Sequence, residues 1–158
     1  MNGAHFHILI NHFPIIGGII ASGIMLIGIF SKFEILKRVA YGLFIFTALI
    51  SIPTNLSGEE AEEIVADIQG IDHDLLEEHE EAANFGLWAA IIVGIVSVVG
   101  LILSLKNNDL KGVISFIVFA GSLLAIFYMW QVGLSGGKIR HPEININADT
   151  QNEKEHTD

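Results

Sequence analysis

The chain has no cysteine, only three prolines and only eight Lys and Arg among 158 residues. Without thiols there is no disulfide, zinc–thiolate, iron–sulfur or covalent c-type haem chemistry. Any bound metal must rest on nitrogen and oxygen ligands or on methionine sulfur. The scarce basic residues and the net charge of −10 exclude a nucleic-acid partner, which needs clustered Lys and Arg. Charge is also thin overall, at 16% of residues against about 25% in a soluble domain. No Gly-x-Ser-x-Gly elbow, His-Glu-x-x-His pair or phosphate-binding loop occurs, so enzymatic hydrolysis has little support.

What is present is apolar and clustered: 51% hydrophobic residues gathered into four nearly uncharged runs. A hydrocarbon core needs roughly 20 apolar residues as helix, and backbone in lipid must satisfy its own hydrogen bonds. The reading is all-α, an integral membrane four-helix bundle over residues 1–144. Its spans are expected at about 13–30, 36–53, 84–105 and 112–132. Residues 145–158 are polar, lack an apolar stripe and are expected to be disordered. No basic stretch precedes the first run, so Met1 to Phe6 does not read as a signal peptide.

Lys32, Lys37 and Arg38 fall in the first connection, and Lys106 and Lys111 in the third, which by the positive-inside rule are cytoplasmic. The stretch from Asn55 to Ala83 carries eleven acids and no base. It is expected outside, with both termini, in a bacterial inner membrane. Tyr128 and Trp130 suit an interfacial position. Gly17 with Ala21, and Ala90 with Gly94, have the four-residue spacing of close helix contacts, although Gly and Ala are common in membrane helices in any case. No repeat between the two halves is apparent.

Within the acidic stretch, Ser57 and Glu60 form a capping box, followed by Ala61, Ile64, Val65 and Ile68 at helical spacing. This predicts a short amphipathic extracytoplasmic helix between spans 2 and 3, from Gly58 to Gln69. A further helix is expected to start near Asp72 or Asp74 and to run into the third span. On it Leu75, His79, Ala82, Ala83 and Gly86 share the packing face, with Glu77, Glu78, Glu80 and Glu81 beside or opposite.

All seven histidines fall on the side of the termini. His12 stands in Asn11-His12-Phe13-Pro14, with His5 and His7 one to two turns earlier; His79 opens the third span and His141 follows the fourth. His73 and His156 read as loop and tail. Imidazole and carboxylate bind zinc, copper, iron, nickel or manganese, and two imidazoles on facing helices can hold a haem. The expected cofactor ligands are His12 and His79; for a metal ion they are His7, His12, His79, His141 and Glu60. The bland alternatives are an interfacial His12, a solvated His5, a purely capping Glu60, and Arg140 pinning the C-terminal segment to the acidic loop.

His7-Ile8-Leu9-Ile10-Asn11-His12-Phe13-Pro14, Leu56-Ser57-Gly58-Glu59-Glu60-Ala61-Glu62-Glu63 and His79-Glu80-Glu81-Ala82-Ala83 together resemble the DUF2231 type of small bacterial membrane protein. Ile8 stands where that family commonly has proline. The resemblance reaches to about Ile144 and implies four helices and an association with respiratory or haem-bearing membrane systems, without a reaction. Two functions are therefore expected. One is a transition-metal or b-type haem protein in electron transfer or metal handling. The other is a non-catalytic accessory or assembly subunit of a respiratory complex, in which the polar motifs are structural and the chain can self-associate. A proton-coupled transporter is disfavoured, because no span has an ionisable group at mid-depth.

Overall fold

A computed structural model describes residues 3–66 and 73–140, and all five of its elements are helices: α1 Gly3–Ile10, α2 His12–Ser31, α3 Glu34–Ala66, α4 His73–Leu105 and α5 Lys111–Arg140. Four rods are long and apolar enough to cross a membrane, as a multi-pass membrane protein requires. α1 and α2 make one of them. Asn11 between them keeps helical angles, φ −61 and ψ −23, and its N–H donates to the His7 carbonyl at 2.9 Å. The Ile10 carbonyl has no donor four residues on, where Pro14 lacks an N–H.

Successive rods run antiparallel, and the two described connections are tight. The first turns at Lys32, φ 58, and the other at Asn107, φ 52; Asn tolerates this left-handed region better than most residues. α2 packs on α3, α3 on α4, α4 on α5 and α5 back on α2, which closes a ring, while α1 lies against α3. Gly3, Ala66, His73 and Arg140 therefore lie at one end, the histidine end. The two connections lie at the other, the basic end.

The packing is that of a bundle in lipid. Large apolar side chains such as Ile19, Leu49, Trp88, Ile95 and Leu124 face outward, compatible with contact to a bilayer. The interior is narrow: Ala21, Met25, Ala40, Tyr41, Phe44, Val93 and Val118 form its apolar centre. Small residues set the spacing, as their periodicity predicts. A Cβ on Gly94 would overlap that of Ala48, and one on Gly100 would lie 2.5 Å from the Tyr41 ring. Ala21 and Ala90 are buried, and a Cβ on Gly17 would meet the Thr47 hydroxyl at 2.9 Å.

At the basic end Glu34 accepts from Lys37 at 2.7 Å and from the Ser104 hydroxyl at 3.2 Å. Arg38 donates to the Ser104 hydroxyl at 3.0 Å and to its carbonyl at 2.9 Å. One carboxylate thus joins the start of α3 to the end of α4.

The separate helix expected from Gly58 is not a separate element. α3 runs unbroken from Glu34 through Ala66, about 50 Å at 1.5 Å per residue, so it overreaches the apolar core. Ser57 is not a cap: its hydroxyl donates within the helix to the Thr54 carbonyl at 2.9 Å. Pro53 is accommodated, with the Ser51 and Thr54 hydroxyls bonding back to the carbonyls of Thr47 and Ile50. Ile64, expected on a buried stripe, is exposed; Ile68 and Gln69 lie outside the described residues. The helix expected near Asp72 or Asp74 is α4, which starts at His73 and continues as the span.

Candidate functional site

At the histidine end two imidazoles turn into the bundle. His7 lies on α1, and its Nδ1 is 3.0 Å from the Thr54 carbonyl and 3.3 Å from the Ser57 hydroxyl, both on α3. A carbonyl only accepts, so Nδ1 donates and Nε2 is the nitrogen left over for another partner. A Cβ on Gly58 would lie 3.2 Å from Cε1 of this ring. The imidazole therefore rests on the glycine that follows the serine.

His79 repeats the arrangement on α4 against α5. Its Nδ1 is 2.9 Å from the Ser135 hydroxyl. That hydroxyl directs its single proton at the Gln131 carbonyl, 2.9 Å away, so it accepts from Nδ1–H. The Val132 carbonyl also bonds to this ring. A Cβ on Gly136 would lie 3.1 Å from Cε1 of His79. His79 is half-buried, and the two histidines are close enough for a charge on one to oppose a charge on the other.

Each ring thus meets a serine, the carbonyl three residues before that serine, and the glycine after it. The tripeptides are Leu56-Ser57-Gly58 and Leu134-Ser135-Gly136. The same local contact thus occurs on α3 and on α5. Both hairpins, α1–α2 with α3 and α4 with α5, begin and end at the histidine end. Ser57 and Ser135 were absent from the expected site residues, and the recurring Leu-Ser-Gly is the signal that marks them. Asn11, one turn below His7, adds a buried Oδ1 with no hydrogen-bond partner.

Of the other expected ligands, His12 and Glu60 are not gathered with this pair. His12 lies five residues beyond His7 on the same rod, which turns it about 140° away, and it is exposed. Glu60 is exposed beside Gly3. His5 and His73 are exposed, and His141 and His156 lie outside the described residues, as does the side chain of Arg140. Among the described residues no three His, Asp or Glu side chains form a group able to hold a metal ion. His79 is on the packing side as expected, and Glu77, Glu78, Glu80 and Glu81 are exposed. Glu62 is within electrostatic reach of Glu80 and Glu59, so the rim is acidic. Trp130 is exposed, and Tyr128 stacks on Phe85 with ring centroids 5.3 Å apart.

Compared with protein-family models, curated proteins and solved structures, the chain matches none.

Proposed function

We propose that the histidine end is a cofactor site, in which His7 and His79 offer their Nε2 atoms to one b-type haem or transition-metal ion. The protein then serves electron transfer or metal handling. The observation that carries this reading is the matched anchoring of the two rings: both hold a proton on Nδ1 toward helix carbonyl and serine oxygens. Ligating histidines are oriented in this way, with the far nitrogen free to bind. The donor set fits a haem well, because haem iron brings four nitrogens of its own and needs only axial ligands. A bare ion prefers three or four protein ligands and would have to recruit His12, His141, Glu60 or water. Asn11 Oδ1 supplies an open acceptor beside the pair.

In this reading the basic end faces the cytoplasm of a bacterial inner membrane, and the histidine end and both termini lie outside. Spectra of the detergent-solubilised protein, oxidised and then reduced, together with metal mass spectrometry, test it. We expect a Soret band or one metal per chain, lost in His7→Ala and His79→Ala. Neither signal in the wild-type protein would overturn the proposal.

A second reading is favoured by the same hydrogen bonds, since each ties one helix to its neighbour without help from a cofactor. It makes the chain an accessory or assembly subunit of a respiratory complex, or a homo-oligomer. It predicts that both alanine variants lose stability while no cofactor is found, and that the protein co-purifies with larger membrane partners.

A further inference from the structure

The basic end holds more positive charge than its own acids balance. Lys32, Lys37, Arg38, Lys106 and Lys111 gather there, against Glu34 and the exposed Asp109 alone. Glu34 is already neutralised, because it accepts from the buried Lys37 at 2.7 Å. Among the described residues this is the one ion pair at the basic end, and Lys32, Arg38, Lys106 and Lys111 pair with no carboxylate.

Two of these unpaired cations are held in place. Arg38 commits two guanidinium N–H groups to the hydroxyl and carbonyl of Ser104, which fixes its plane at the end of α4. Its remaining N–H groups have no acceptor among the described residues. Lys111 opens α5, donates to the Asn107 side-chain oxygen and stands within electrostatic reach of Glu34. Ser104 donates to the same Glu34 at 3.2 Å. Three helices thus bring Arg38 and Lys111 to one carboxylate whose charge Lys37 has cancelled.

The surface beside this cluster is apolar. Phe30, Phe33, Leu110 and Val113 are all more than half exposed, and each connection sets a lysine next to one of them, Lys32 beside Phe33 and Lys111 beside Leu110. A free anion would meet the charge and leave these side chains uncovered. A charged headgroup that carries acyl chains meets both.

We propose that the basic end binds an anionic phospholipid, its phosphate held by Arg38 and Lys111 and its acyl chains against the apolar surface beside the two connections. A guanidinium matches two phosphate oxygens at once, and an ammonium adds a point charge. The proposal is independent of the cofactor reading, which concerns the opposite end of the bundle.

The test is native mass spectrometry of the full chain released from detergent micelles, titrated with phosphatidylglycerol or with phosphatidylcholine of the same acyl chains. One phosphatidylglycerol should be retained about 10-fold or more tighter than phosphatidylcholine, since each basic side chain near a headgroup is worth about five-fold. Excess inorganic phosphate should not displace it. Lys111→Gln should reduce the preference about five-fold, Arg38→Gln should do the same, and Lys111→Arg should keep it. Lys138→Gln, exposed near the histidine end, should match wild type. Circular dichroism identifies any variant that fails to fold, and the Lys111→Gln and Lys111→Arg pair then decides. Equal retention of the two lipids, displacement by inorganic phosphate, or a preference that ignores Lys111→Gln overturns the site.

Discussion

Substituting Gly136 by alanine places a methyl group 3.1 Å from Cε1 and 3.5 Å from Nδ1 of His79. Ordinary van der Waals contact begins near 3.4 Å, so the ring must retreat by a few tenths of an ångström. That retreat stretches the 2.9 Å bond to Ser135. Overpacking of this kind costs about 1–3 kcal/mol, and weakening the hydrogen bond adds up to about 1 kcal/mol. Replacing glycine inside a helix returns about 1 kcal/mol, so Gly136→Ala should be destabilising by up to about 3 kcal/mol. Gly137 is the internal control, because a Cβ there meets nothing within 4 Å; Gly137→Ala keeps only the helix gain of about 1 kcal/mol. Thermal melting followed by circular dichroism in detergent reads the difference. At this chain length each kcal/mol moves the midpoint by about 2–4 °C, so the pair should separate by about 2 °C or more. If Gly136→Ala melts as high as Gly137→Ala, the ring does not rest on that glycine and the clamp described here is wrong.

Ser57→Ala and Ser135→Ala should each leave one ring on its carbonyl partner alone, and as losses of a ligand-orienting partner they should lower cofactor affinity about 10- to 100-fold; titration of apoprotein with haem or metal measures this. Gly94→Ala forces α3 and α4 apart at Ala48 and should destabilise by about 1–3 kcal/mol, and Ala48→Gly in the same chain should restore much of the melting temperature. Arg38→Ala removes two charge-assisted bonds to Ser104. It should cost about 1.5–3 kcal/mol, measured by the same melts, with Arg38→Lys only a partial substitute because one ammonium cannot reproduce the planar fork.

The four apolar runs were readable because lipid imposes a length and a polarity on each span, and small residues such as Gly94 were readable because helices in lipid meet where side chains are absent. The elements beyond the bilayer were less so. Ser57 and Glu60 have the spacing of a helix start, but a capping box is a local pattern that an uninterrupted helix also contains. Whether α3 stops there depends on what packs beside it, and His7 does. That His7 rather than His12 meets α3 was hidden in the sequence for a related reason. Only the continuity of α1 with α2 decides which of two histidines on one rod faces inward, and the unbroken hydrogen bond at Asn11 is not visible in the residues themselves. The paired Leu-Ser-Gly segments were overlooked because three common residues recurring once carry little weight until the imidazoles that meet them are known.

Both hairpins start and finish on the same side, and each brings one imidazole with its own serine and glycine. Neither half therefore depends on coming first along the polypeptide. A permuted gene that opens at His73, joins Arg140 to Gly3 through a polar tether and closes at Ala66 should rebuild the same mouth. The order of synthesis is incidental to it.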